Sequence, residues 1–201
     1  MDYISKQDQA NRLNDPKKYE TVKQMLAERG VNLTDIAELT LNLQKPYLPH
    51  IDLDLCLVHV NKVLLKREVQ HAILVGVELD VLAEKDMLSE PLATLVKSDY
   101  GLFGVDEILA LSIVNVYGSI GLTNFGYVDK LKPGVIGVLD NEGKKEGRCN
   151  TFLDDIVGAI ASAAASSIAH RYTVWLSGRL TIFLFFSESI FDKMMVFVVF
   201  F

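Results

Sequence analysis

Ten consecutive residues, Gly158-Ala159-Ile160-Ala161-Ser162-Ala163-Ala164-Ala165-Ser166-Ser167, carry very little side-chain bulk, within a run from Thr151 to His170 that reads as the clearest helix of the chain. A helix this lean lets others approach it closely, so it predicts a crowded helix crossing. Thr151, with Asp154 three residues on, resembles a capping-box start for it. The remaining pattern is also helical. Tyr19, Val22, Met25 and Leu26 mark a helix to Arg29, closed by Gly30. Ile36, Leu39 and Leu43 mark a second, beginning near Asn32 or Thr34 and stopping before Pro46. Asp52 or Asp54 can cap a third, whose pattern runs on through Glu84 as a second long helix or one bent helix. Leu92–Val96 is a short helix, Ser98–Gly101 a turn, and Val105–Tyr117 a largely buried helix ending at Gly118.

Between Gly118 and Asn150 lie seven of the thirteen glycines together with Pro133, which predicts a long, partly irregular connection of functional character or disorder. Strand-like alternation does not rise above noise before residue 171. The expected fold is therefore all-α: a compact multi-helix bundle forming a single domain over residues 19–170, after an N-terminal arm at 1–18 and before an apolar tail at 171–201. In the tail, Leu180–Phe186 and Met194–Phe201 flank Glu188, Asp192 and Lys193, and these charges argue against a membrane-spanning helix. Three readings of the tail stay open: contact with a membrane surface or partner, packing on the core, or an accidental extension.

A net charge of −6 without a Lys/Arg stripe argues against nucleic acid as a partner. The same charge repels anionic lipid unless basic residues cluster or a divalent cation bridges the two. Cys56 and Cys149 form no CxxC pair and read as reduced thiols. The first residues, Met1 to Gln9, show no apolar run behind a basic start, so a cytoplasmic location is expected.

The residues able to carry chemistry are acidic. Asp106-Glu107 and Asp154-Asp155 each open an apolar helix, with Asp129 in the glycine-rich stretch between them. Hard cations such as Mg²⁺ take oxygen ligands, and two helix starts with a loop could supply them. The competing explanation is that first-turn carboxylates suit the helix dipole whatever the function. Against it, five carboxylates beside a tight crossing would repel one another unless a cation intervened. Adjacent helical residues point about 100° apart, so one of each pair should face the site, and Glu107 and Asp155 are the expected ones. Lys130 and Lys132 could hold phosphate as point charges.

Other chemistries fit less well. The arginine position of Cys-x5-Arg is Lys62 after Cys56 and Asp155 after Cys149. Asp52-Leu53-Asp54 follows Pro49-His50 rather than an apolar strand, and reads as a helix cap. His50, His59, His71 and His170 show no metal spacing, and Gly143-Lys144 lacks the upstream glycine of a P-loop.

Taken in order, Gly104-Val105-Asp106-Glu107-Ile108-Leu109-Ala110, Asp129-Lys130-Leu131-Lys132-Pro133-Gly134 and Asp154-Asp155-Ile156-Val157-Gly158-Ala159 resemble the motif series of the phosphatidylglycerophosphatase A family. Residues 20–170 look more like its soluble branch: the apolar segments expected to embed membrane-bound members, and their glycine- and proline-rich N-terminal motif, are not found there. The resemblance implies a metal-dependent phosphomonoester hydrolase of lipid metabolism that converts phosphatidylglycerophosphate to phosphatidylglycerol. It marks Asp106, Glu107, Asp129, Lys132, Asp154 and Asp155, and the hypothesis built on it takes Glu107, Asp129 and Asp155 as ligands of Mg²⁺ or, alternatively, Mn²⁺, with Asp106, Asp154 and Lys132 as catalytic groups. It further implies a phospholipid or other phosphomonoester substrate, peripheral contact with the inner face of the membrane, and a homo-oligomer, of four subunits in the soluble branch. The second reading is a non-catalytic oligomeric helical protein with a regulatory or assembly role in membrane lipid adaptation.

Overall fold

The computed structural model describes residues 16–187 apart from 100, 102 and 146, so the expectations for the first fifteen residues and for 188–201 lie outside the described residues. The described residues are helical and contain no strand, as an all-α chain requires. The helices are α1 (Pro16–Glu28), α2 (Leu33–Gln44), α3 (Leu53–Leu64), α4 (Arg67–Glu84), α5 (Leu92–Lys97), α6 (Val105–Val114), α7 (Gly118–Leu131), α8 (Val135–Lys145) and α9 (Leu153–Ser187), with a 3-10 turn at Asn115–Tyr117. Among the described residues, those from 16 to 168 form one compact unit and the helical stretch 169–187 a second.

Local chemistry explains most helix ends. Gly30 takes the left-handed φ of +84° that ends α1. Asp35 accepts the Asn32 N–H at 2.7 Å at the start of α2, and Asp52 accepts the Leu55 N–H at 2.8 Å at the start of α3. The pattern from Asp52 to Glu84 is two helices, not one, because the chain leaves helical geometry at Lys66 (φ −76°, ψ 130°).

The compact unit is built around the first part of α9. Every residue from Thr151 to Ser166 is buried. A helix buried on all sides has no polar face to spare, which is why its sequence shows no amphipathic stripe. Each fully buried Ile or Val in it contributes about 1.5–3 kcal/mol relative to exposure. Small residues permit the close approach. A Cβ at Gly76 of α4 would stand 2.4 Å from Ile156 Cδ1 and 3.0 Å from Phe152 Cβ, and Gly158 faces Val128 and Ile136. Several polar groups in the contact layer are paired: Thr40 Oγ1 donates to Ala161 O (3.3 Å), Ser166 Oγ donates to Tyr117 O (2.7 Å), and His59 Nδ1 lies 2.9 Å from Ser167 Oγ, whereas the buried Ser162 hydroxyl has no partner.

Residues 118–150 correct the sequence reading most. The expected irregular connection is two helices, α7 and α8, joined by a short turn at Lys132-Pro133-Gly134. Some of the glycines taken as breakers are close-approach points: a Cβ at Gly121 would lie 3.1 Å from Val114 O. A second correction concerns membrane segments. The 27 residues Val105–Leu131 are long and apolar enough to cross a membrane by length and composition, although a segment of that kind was not expected within residues 1–170. The stretch is not one uninterrupted α-helix, being broken by the 3-10 turn and by Gly118 at φ +70°.

Candidate active site

Lys132 ties the second sequence motif to the third, and the first lines the same cavity. Helix α7 ends at Leu131, because Pro133 disfavours right-handed geometry at the residue before it. Lys132 adopts the left-handed conformation (φ 45°, ψ 53°), with its N–H donating to Val128 O at 2.8 Å. That conformation costs a non-glycine residue about 1–2 kcal/mol. The turn is held against α8 through Gly137, where a Cβ would stand 2.5 Å from Lys132 O. From this position the Lys132 ammonium donates to Asp129 Oδ1 (2.7 Å), Asp154 Oδ2 (2.9 Å) and Asp155 Oδ1 (3.2 Å).

The start of α9 is fixed by groups from distant parts of the chain. Asp80 on α4, 0% exposed, accepts the N–H groups of Phe152 (3.2 and 3.3 Å) and Leu153 (3.0 Å), so an acid from another helix supplies the cap. Thr151 instead donates its hydroxyl to Val96 O at 2.6 Å, so the capping box expected from Thr151 and Asp154 does not form. Arg29, just past α1, pairs with Glu84 (2.7 Å) and donates to Asn150 Oδ1 (2.7 Å), while Glu84 accepts the Cys149 N–H (2.8 Å). Because other residues satisfy these α9 N–H groups, both Asp154 and Asp155 are free to reach Lys132.

A polar cavity of about 130 Å³ forms around this cluster, lined by Asp99, Gly101, Gly104, Asp106, Glu107, Asp129, Lys132, Asp140, Thr151, Asp154 and Asp155. Of the residues singled out from the sequence, Asp106, Glu107, Asp129, Lys132, Asp154 and Asp155 line it and Lys130 does not. Their orientations differ from expectation in two respects. Asp154 and Asp155 both face the cluster, since Lys132 lies within reach of each. On α6 the buried member is Asp106, at 8% exposure, while Glu107 is exposed at the cavity's margin. Asp106 Oδ1 is buried and has no hydrogen-bond partner. Sequence reasoning missed Asp99 and Asp140 in the lining, and Asp80, Arg29 and Glu84 behind it. One signal for Asp80 was available: it is a carboxylate on the buried stripe Val69, Ile73, Gly76, Val77, Asp80, Ala83 of α4.

The electrostatics are those of too many carboxylates for one cation. Burial, then the charge of Asp154, pushes Asp155 up to about 8, and burial pushes Asp154 up to about 6. Burial also raises Asp106. Burial works against the Lys132 ammonium, but the charges of Asp154 and Asp155 and its hydrogen bond to Asp129 outweigh it and hold its pKa above the ordinary lysine value. These directions agree physically: a single positive charge stays protonated among three carboxylates and cannot neutralise all of them.

A pH dependence follows. In the folded protein Asp154 and Asp155 bind protons more tightly than in the unfolded chain, from the ordinary value of 3.8 up to about 6 and 8. The folded state therefore holds more protons between about pH 4 and 8, and stability is lost as pH rises through that window. Denaturant unfolding with chelator present is expected to give a lower unfolding free energy at pH 8 than at pH 5. A higher value at pH 8 would contradict this account of the cluster.

The donor set suits a hard divalent cation: every candidate ligand is a carboxylate oxygen, the cluster carries excess negative charge, and Asp106 Oδ1 lacks a partner. As the side chains stand, the described residues contain no group of three His, Cys, Asp or Glu in metal-holding geometry, and the Lys132 ammonium lies among the carboxylates.

Comparison with known proteins agrees with this arrangement of motifs. The chain is 60% identical over 146 residues to the uncharacterized protein YutG of Bacillus subtilis (strain 168), covering 73% of this chain and 87% of that one. It is similar to the crystal structure of protein ypjQ from Bacillus subtilis, with TM-score 0.76 and 52% identity over 80% of this chain and 98% of that one. It is also similar to the crystal structure of low temperature requirement C protein from Listeria monocytogenes, with TM-score 0.75 and 56% identity over 78% and 97%. The family model for phosphatidylglycerophosphatase A matches residues 31–170, which include all three motifs and the whole cavity lining. The chain therefore belongs to the phosphatidylglycerophosphatase A family.

Proposed function

We propose that this protein is a divalent-cation-dependent phosphomonoester hydrolase of lipid metabolism, removing phosphate from phosphatidylglycerophosphate. The observation that carries the reading is the meeting of three motifs, well separated along the chain, in one polar cavity that also holds one ammonium, in a family member. Glu107, Asp129 and Asp155 would hold Mg²⁺ or Mn²⁺. The cation supplies Lewis-acid polarisation of the phosphoryl group. Lys132 binds and neutralises phosphoryl oxygens as a point charge. Asp106 Oδ1, buried and without a partner, accepts a proton from the attacking water, and Asp154, with its pKa pushed up to about 6, is placed to hold or return a proton near neutral pH.

Exposed apolar side chains flank the site residues along α6, the 3-10 turn and α7, among them Ile108, Val116, Tyr127 and Leu131. They support a homo-oligomer, or peripheral contact with the cytoplasmic face of the membrane, where a lipid substrate is met. The test is phosphate release from phosphatidylglycerophosphate by the purified full chain with Mg²⁺, with Mn²⁺ and with chelator. Release that depends on the cation and is reduced at least tenfold in Glu107→Gln is expected. No release from this lipid or from soluble phosphomonoesters, with no cation binding by calorimetry, would overturn the reading. The alternative, a non-catalytic helical assembly in membrane adaptation, draws on the similar protein from Listeria monocytogenes described by a low temperature requirement, and predicts that same negative result.

A further inference from the structure

We infer that Lys132 is a tethered counter-ion that exchanges with the divalent cation: its ammonium gathers Asp129, Asp154 and Asp155 until the cation arrives, then releases them. The inference rests on the cation-dependent reading above and concerns how the cluster is kept assembled and how the cation enters. Three observations carry it. First, the three donors of one ammonium are matched by three carboxylates, at 2.7, 2.9 and 3.2 Å. A cation bound to the same oxygens would compete for them directly, because a carboxylate oxygen that ligates a hard dication does not keep a full ammonium contact.

Second, the cluster remains short of positive charge with Lys132 in place. Asp106 in the same cavity is 8% exposed and its Oδ1 has no partner, which points to a further positive or hydrogen-bond-donating ligand independently of the Lys132 contacts. Third, the backbone of Lys132 is pinned by contacts that do not involve its ammonium. Its N–H is bonded to Val128 O, and its carbonyl lies where only a glycine at 137 fits. The four-carbon stem can therefore swing the ammonium without moving the turn. Withdrawal from the carboxylates leaves the ammonium beside the cavity, available to phosphoryl oxygens. In this way one side chain keeps the cation-free protein folded and later serves the substrate.

The experiment compares wild type with Lys132→Met at pH 8, using Mn²⁺ alone as the probe. Calorimetry is expected to show Mn²⁺ bound at least tenfold more tightly by Lys132→Met, since no tethered cation competes. In thermal unfolding, Lys132→Met should melt lower than wild type in chelator, and Mn²⁺ should raise its melting temperature by more than it raises that of wild type. Equal or weaker Mn²⁺ binding by a folded Lys132→Met overturns the exchange while leaving metal-dependent hydrolysis standing. A wild-type protein that binds no Mn²⁺ removes the hydrolytic reading itself. Should Lys132→Met fail to fold, the decision passes to the lysine side-chain NMR signals of wild type titrated with Mg²⁺, with Lys132→Arg used for assignment. A Lys132 signal that changes from an ion-paired to a solvent-like ammonium at saturation supports the exchange, and one unchanged at saturation overturns it.

Discussion

Asp155→Asn is expected to raise the unfolding free energy in chelator by about 1–2 kcal/mol at pH 8, and to lower cation-dependent phosphate release by about 100- to 1,000-fold. The two effects have one cause. Asp155 is 5% exposed, and its carboxyl is raised to about 8 by burial and by Asp154, so its charged form is held against a desolvation penalty. Removing one carboxylate here strands no partner, because Lys132 keeps Asp129 and Asp154. An asparagine oxygen can still accept from the ammonium, and its amide can donate to a neighbouring carboxylate. The same substitution deletes a charged oxygen donor from the proposed cation site, and catalysis should fall accordingly. Denaturant unfolding in chelator and the phosphate assay measure the two halves separately. A variant that is less stable than wild type, or that retains full activity, would show that Asp155 is a structural ion pair rather than a strained functional group.

Asp80→Ala is expected to destabilise the protein by about 2–4 kcal/mol. Truncation leaves the Phe152 and Leu153 N–H groups unpaired at a position with 0% exposure, and opens a small void in the contact between α4 and α9. Burial pushes Asp80 up to about 8 against the helix N–H groups and Arg29, so part of the loss is returned by removing a costly buried acid. Asp80→Asn keeps one accepting oxygen and should cost about 1 kcal/mol. Activity should fall in Asp80→Ala as well, since α9's first turn carries Asp154 and Asp155 and an uncapped turn frays. Urea unfolding of the two variants beside wild type checks the ranking, and equal stability of Asp80→Ala and wild type would remove Asp80 from its capping role.

Local signals in the chain announced what they govern. Gly30 ends α1, Pro46 stops α2 short at Gln44, and Asp52 caps α3, because each acts through groups within a few residues of itself. The lean run after Asp155 announced a crowded helix, and that helix is buried throughout from Thr151 to Ser166. The order of the acidic motifs was equally readable, and the six residues it marked line one cavity.

The amino-acid order by itself thus determined a helical chain, the positions where its helices stop, and which acids belong to one family pattern. Only the tertiary structure decided that α7 and α8 are helices at all, since glycines at 121 and 137 read as breakers until Val114 O and Lys132 O are seen to occupy the space a side chain would need. It also decided that Asp106 rather than Glu107 is buried, that Asp154 and Asp155 both reach Lys132, and that Asp80 and Arg29 hold the helix bearing them. The physical reason is distance along the chain: Asp80 meets Leu153 across 73 positions and Arg29 meets Asn150 across 121, and no local periodicity encodes a hydrogen bond of that span.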